Sequence, residues 1–254
     1  LRSLTARGIW GWLLGIALTE FYVCLYWAPQ YLGLGQNGTA NTGIVALFDP
    51  LSQMLRMRPA DQWFVYGSFY TLAVLLMGWK FIGKYRHNRY QIIRTISVMF
   101  FQLGFAFLIP ALMVRLQQPE LYFTYFWPLS YANATPDTYG WQSQSSLGTV
   151  FFFFGLAMFF LGTPILTYFF GKRWYCSWVC GCGGLAETAG DPFRHLSDKS
   201  LKTWKIERWM VYAVLVLAFA MTALLWLNVA TGRSILKDFS EGFYKSYGFL
   251  VGSA

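Results

Sequence analysis

Five apolar stretches, near residues 9–28, 63–83, 95–115, 147–170 and 208–228, each reach the roughly 20 residues that a helix needs to cross a bilayer. Lipid cannot satisfy backbone N–H and C=O groups, so a crossing segment must be a helix or part of a closed barrel. Uninterrupted runs such as Val150 to Phe160 lack the period-two alternation of barrel strands. The sequence therefore predicts an all-α fold: a polytopic transmembrane helical bundle of about five spans. It forms a single transmembrane domain over 1–254, with a cysteine-bearing inside loop at 171–207. Composition agrees, because 56% hydrophobic and 12% charged residues leave too little polar surface to cover a soluble domain of 254 residues.

Orientation follows from the Lys and Arg residues. With the N-terminus inside, fourteen of the 20 fall on inside segments and six on outside ones, and the excess belongs on the cytoplasmic side. The expected location is a bacterial-type inner membrane, multi-pass, with a cytoplasmic N-terminus. The net charge of +9 sits in short loops between apolar stretches and forms no continuous basic helix or arm, which excludes a nucleic-acid partner. The outside stretches near 29–62 and 116–146 hold Asn, Gly, Pro and Ser with little charge, as solvated connections or re-entrant segments would. The tail from Val229 mixes charged and aromatic residues like an interfacial helix leading into a further span. Arg2 and Arg7 precede the first apolar run without a small-residue cleavage site, which reads as an anchor rather than a removed signal peptide. With Leu1 as its first residue, the chain reads as a segment of a longer one.

Three of the four cysteines, Cys176, Cys180 and Cys182, fall within seven residues after the fourth span. A turn there would bring three thiolates together. Gly181, Gly183 and Gly184 tolerate the backbone conformations that wrapping around a metal demands. Lys172 and Arg173 offset the negative sulfurs, and a cytoplasmic face keeps thiols reduced. Buried free thiols, a disulfide, zinc and an iron–sulfur cluster are the readings open to such a run. His195 is the alternative zinc ligand, completing a Cys3His set. Cys24, near the outer end of the first helix, is about a membrane thickness away.

Within the spans, Glu20 stands mid-way along the first helix, where a charge is costly. It is a candidate for proton handling beside a quinone pocket, or for a buried hydrogen bond to another helix. Pro110 and Pro164 are expected to kink their helices. A transporter is disfavoured because the spans hold few ionisable residues and no inverted repeat.

The run Gly171-Lys172-Arg173-Trp174-Tyr175-Cys176-Ser177-Trp178-Val179-Cys180, followed by Gly184-Leu185-Ala186-Glu187, resembles the membrane-embedded iron–sulfur-binding segment of the NosR/NapH/CcoG family. That family carries G-R-x-F-C-x-W-x-C-P after a transmembrane helix. Here Gly181 replaces the Pro, and Cys182 is an added thiol. The resemblance implies a 4Fe-4S cluster on Cys176, Cys180 and Cys182, shielded by Trp174 and Trp178, with a fourth ligand from elsewhere. It also implies electron relay at the cytoplasmic face between a quinone pool and redox partners, in a complex with other subunits and a ferredoxin-like domain or partner. A second C-x3-C motif would follow beyond Ala254. The rival is a non-catalytic scaffold or assembly subunit with structural zinc or free thiols.

Overall fold

The computed structural model describes residues 8–35, 39–118, 120–124, 126, 140, 146–171, 173–191 and 200–231. Among these the regular structure is helical throughout, as expected. In chain order the helices are α1 (Gly8–Trp27), α2 (Asp49–Arg56), α3 (Gln62–Lys84), α4 (Arg89–Arg115), α5 (Ser146–Phe170), α6 (Trp174–Trp178), α7 (Gly181–Thr188) and α8 (Leu201–Ala230). Short helical segments Pro29–Leu32 and Gly43–Ala46 lie between α1 and α2. Helices α3, α4, α5 and α8 are long and apolar enough to cross a membrane, and Ile16–Trp27 of α1 adds a shorter apolar helix. The result is a helical bundle of about five spans.

Polar caps mark where several of these helices begin. Asp61 accepts from the Phe64 N–H at 2.7 Å, Asn88 from Gln91 at 3.3 Å and Ser200 from Thr203 at 3.3 Å. Each satisfies one donor that the first turn leaves open. Pro110 and Pro164 act differently from simple kinks: each follows a widened π segment, Phe101–Leu108 and Met158–Gly162. A proline inside a helix has no N–H and collides with the carbonyl four residues earlier, and widening the preceding turn relieves both.

The chain folds as two compact units, residues 1–124 with 172–197 and residues 125–171 with 198–254. In the first, Leu25, Val45, Ala60, Phe64 and Val65 form a core at the Gln62 end of α3. A charge network closes that end. Arg56, only 6% exposed, pairs with Asp61 at 2.7 Å and Glu120 at 3.4 Å, and its guanidinium lies 5.1 Å from the Phe64 ring centre. Removing either acid would leave a buried cation short of a partner. In the second unit, α5 and α8 present mostly exposed apolar surface, as lipid-facing helices do, with Phe159 edge-on to Phe219 at 5.8 Å. Most of 116–146, the tail beyond 231, and His195 lie outside the described residues.

If α3 spans the membrane, its two ends face different compartments. Single cysteines at Met54 and His87, both exposed, should react with an impermeant maleimide from opposite sides. Labelling of both from one side would remove α3 as a span.

Candidate functional site

Helix α7 owes its position to its small residues. Gly181 and Gly184 are buried, and a Cβ at Gly181 would lie 2.4 Å from Gln102 Oε1 and 2.9 Å from the Tyr70 ring. At Gly184 it would lie 2.4 Å from Val98. Helices with such a face approach closely, as they do in membrane interiors. One turn further on, Glu187 pairs with the buried Arg94, which also donates to Gln91 Oε1 at 2.6 Å. The pairings 181 with 102, 184 with 98 and 187 with 94 set α7 antiparallel to α4. At the far end Asp191 takes Lys84 and the Tyr85 hydroxyl, so α7 runs parallel to α3.

This register decides how deep the cysteines lie. Tyr70, whose hydroxyl donates to Cys182 Sγ at 3.0 Å, is eight residues from Gln62 and fourteen from Lys84. At 1.5 Å per residue that is about 12 Å and about 21 Å along α3. The sequence placed the cysteines at the charged inside face; in the structure Cys182 lies beside Tyr70, part-way along α3 from its Lys84 end. The glycines are responsible, and not in the way expected: they are helical and used for close packing, and do not form a loop wrapped around a metal.

Helix α6 is tied to the same wall. Ser97 Oγ donates to the Trp178 carbonyl at 2.8 Å, the Trp178 ring meets Tyr90 edge-on at 5.7 Å, and the Tyr175 hydroxyl donates to the Thr124 carbonyl. Trp174 is buried. Between the two short helices, the N–H of Cys180 returns to the Tyr175 carbonyl at 2.9 Å, and Cys180 becomes the N-cap residue of α7. The contact that fixes α6 on α7 is Gly183, whose absent Cβ would fall 1.9 Å from the Cys176 carbonyl oxygen.

All four cysteines are free thiols, with Cys176 and Cys182 exposed and Cys180 half-buried. The thiol of Cys180 donates to the sulfur of Cys182, which holds Cys180 above the ordinary thiol range and Cys182 below it, and the Tyr70 hydroxyl adds to the latter. First-turn N–H groups at Cys182 and Gly183 face the Cys180 sulfur. Hydrogen-bond donors therefore surround sulfur that would carry negative charge.

Three thiols are a donor set that an iron–sulfur cluster takes. Among the described residues no three His, Cys, Asp or Glu side chains converge as one metal ion would require. In a cluster each thiolate takes its own iron, so the sulfurs need only share a small region. Cys24 belongs to α1, and Lys172 and His195 lie outside the described residues; among the described residues this segment carries three thiols. Glu20 is exposed on α1. Sequence reasoning missed Tyr70, Gln102 and Arg94, which line the site from α3 and α4. Arg94 entered the sequence reading only as one of the inside cations at the edge of a span.

Residues 151–200 match the family model described as a 4Fe-4S binding domain (Fer4_5). The matched stretch contains all three clustered cysteines. No curated protein and no solved structure matches the chain.

Proposed function

We propose that the chain is the membrane-embedded electron-transfer subunit of an oxidoreductase complex, with Cys176, Cys180 and Cys182 holding a 4Fe-4S cluster. The observation that carries this reading is the run of three thiols across α6 and the start of α7, inside a stretch similar to a 4Fe-4S binding domain. A bound cluster supplies one-electron transfer. The chain's own residues hold it between α3 and α4, exclude water with Trp174 and Trp178, and direct donors at the sulfurs. Four-iron clusters ordinarily take four Cys, so one ligand comes from outside this cysteine run or is not a thiol.

In the finer reading the chain is of the NosR/NapH/CcoG type and acts as one transmembrane domain. Its N-terminus is cytoplasmic in a bacterial inner membrane, and it passes electrons between a quinone pool and partner subunits or a ferredoxin-like domain. The depth of Cys182 supports this, because a cluster well along α3 shortens the distance to any acceptor at the Gln62 end. Glu20 is the carboxylate to handle a quinone's proton, and its exposure on α1 leaves it open to the lipid phase.

Anaerobic purification of the full-length protein in detergent tests the reading. It should yield iron and acid-labile sulfide in equal amounts, about four of each per chain, with broad visible absorption. Zinc without iron would replace this function with the scaffold alternative, in which His195 becomes the fourth ligand.

A further inference from the structure

We propose that Tyr70 is a tuning residue that raises the reduction potential of the cluster through a hydrogen bond from its hydroxyl to Cys182 Sγ. The inference rests on the iron–sulfur reading above. Tyr70 reaches the sulfur at 3.0 Å from α3, a different helix from those that carry the cysteines. Its ring is braced on both sides: Gly181 packs against its edge, and Tyr66 stacks on it with centroids 6.0 Å apart and planes 8° from parallel. The donor is thus held by packing, independently of the bond that it makes.

The chemistry gives the sign. Reduction adds negative charge to the cluster, and part of that charge resides on the thiolate sulfurs. A donor already aimed at one of them favours the reduced state, which is one of the recognised controls on cluster potential. Tyr66 makes a natural comparison because it carries the same group one turn away, with no bond to sulfur among the contacts described.

The test is a redox titration followed by electron paramagnetic resonance on the full-length protein, comparing wild type with Tyr70→Phe and Tyr66→Phe. Phenylalanine keeps the ring against Gly181 and removes only the hydroxyl. In Tyr70→Phe the ratio of reduced to oxidised cluster at a fixed ambient potential should fall about tenfold, equivalent to about 59 mV for one electron. Tyr66→Phe, which removes a hydroxyl that makes no bond to sulfur among the contacts described, should shift the ratio by much less. Electron–nuclear double resonance on protein exchanged into D2O should also show an exchangeable proton coupled to the reduced cluster in wild type that Tyr70→Phe lacks, the variant being reconstituted anaerobically with iron and sulfide if it is isolated without them. An unchanged potential in Tyr70→Phe with iron retained, an equal shift in Tyr66→Phe, or no exchangeable coupling in wild type would overturn the role of Tyr70. A wild-type protein free of iron would instead overturn the iron–sulfur reading itself.

Discussion

Alanine at Gly183 is expected to strip the cysteine segment of iron while leaving the helix content of the protein unchanged. Two effects oppose each other at this position. Gly183 lies inside α7, where replacing Gly by Ala favours the helix by about 1 kcal/mol. Against that, the new Cβ would stand 1.9 Å from the Cys176 carbonyl oxygen, 2.7 Å from its carbon and 3.0 Å from its Cα. All three are backbone atoms, so no side chain can rotate out of the way. Overpacking of the softer kind already costs about 1–3 kcal/mol, and a main-chain collision is relieved only by moving α6 off α7. The clash wins. Because Cys176 belongs to α6 and Cys182 to α7, with Cys180 at the junction, that movement separates the thiols. Gly83→Ala is the control, since a Cβ there meets nothing within 4 Å. Iron per chain and far-UV circular dichroism should distinguish the two variants. Full iron loading of Gly183→Ala would mean that the contact between α6 and α7 does not hold the site together.

The same contact shows what could and could not be read from the sequence. Hydropathy located the spans because length and apolarity are local properties, and the caps Asp61, Asn88 and Ser200 are local too. The cysteine spacing pointed to the chemistry for a similar reason, being contained within seven residues. The depth of the site was not legible. It depends on which helix face α7 offers to α3 and α4, and a run of Cys and Gly supports a metal-wrapping loop as readily as a thin helix. Glu187 illustrates the limit. As part of a short motif it could be singled out, but its partner Arg94 is on another helix and no spacing rule joins them. Tyr70 is harder still, one tyrosine among 16 in an aromatic-rich chain, chosen only by the register that brings Cys182 to its hydroxyl.

Serine at Cys176, Cys180 or Cys182 is expected to lower iron content and visible absorption together, each variant losing most of its cluster, while Cys24→Ser keeps both. Serine preserves size but is a poor ligand for iron, so the substitution separates ligation from packing. Packing has little at stake here, because Cys176 and Cys182 are exposed and Cys180 is only half-buried. A loss of iron could therefore not be assigned to a collapsed core. The three positions should also differ. Cys180 and Cys182 are two residues apart at the start of α7 and share the donors there, so either change disturbs the other sulfur, whereas Cys176 is tied in through its carbonyl at Gly183. Cys176→Ser should accordingly bind some iron in a weaker, more easily oxidised form, and the other two should bind almost none. Iron, sulfide and absorbance measured on anaerobically prepared protein decide this. If all three serine variants kept wild-type absorption, the cysteines would be packed thiols and the electron-transfer assignment would lose its chemical basis.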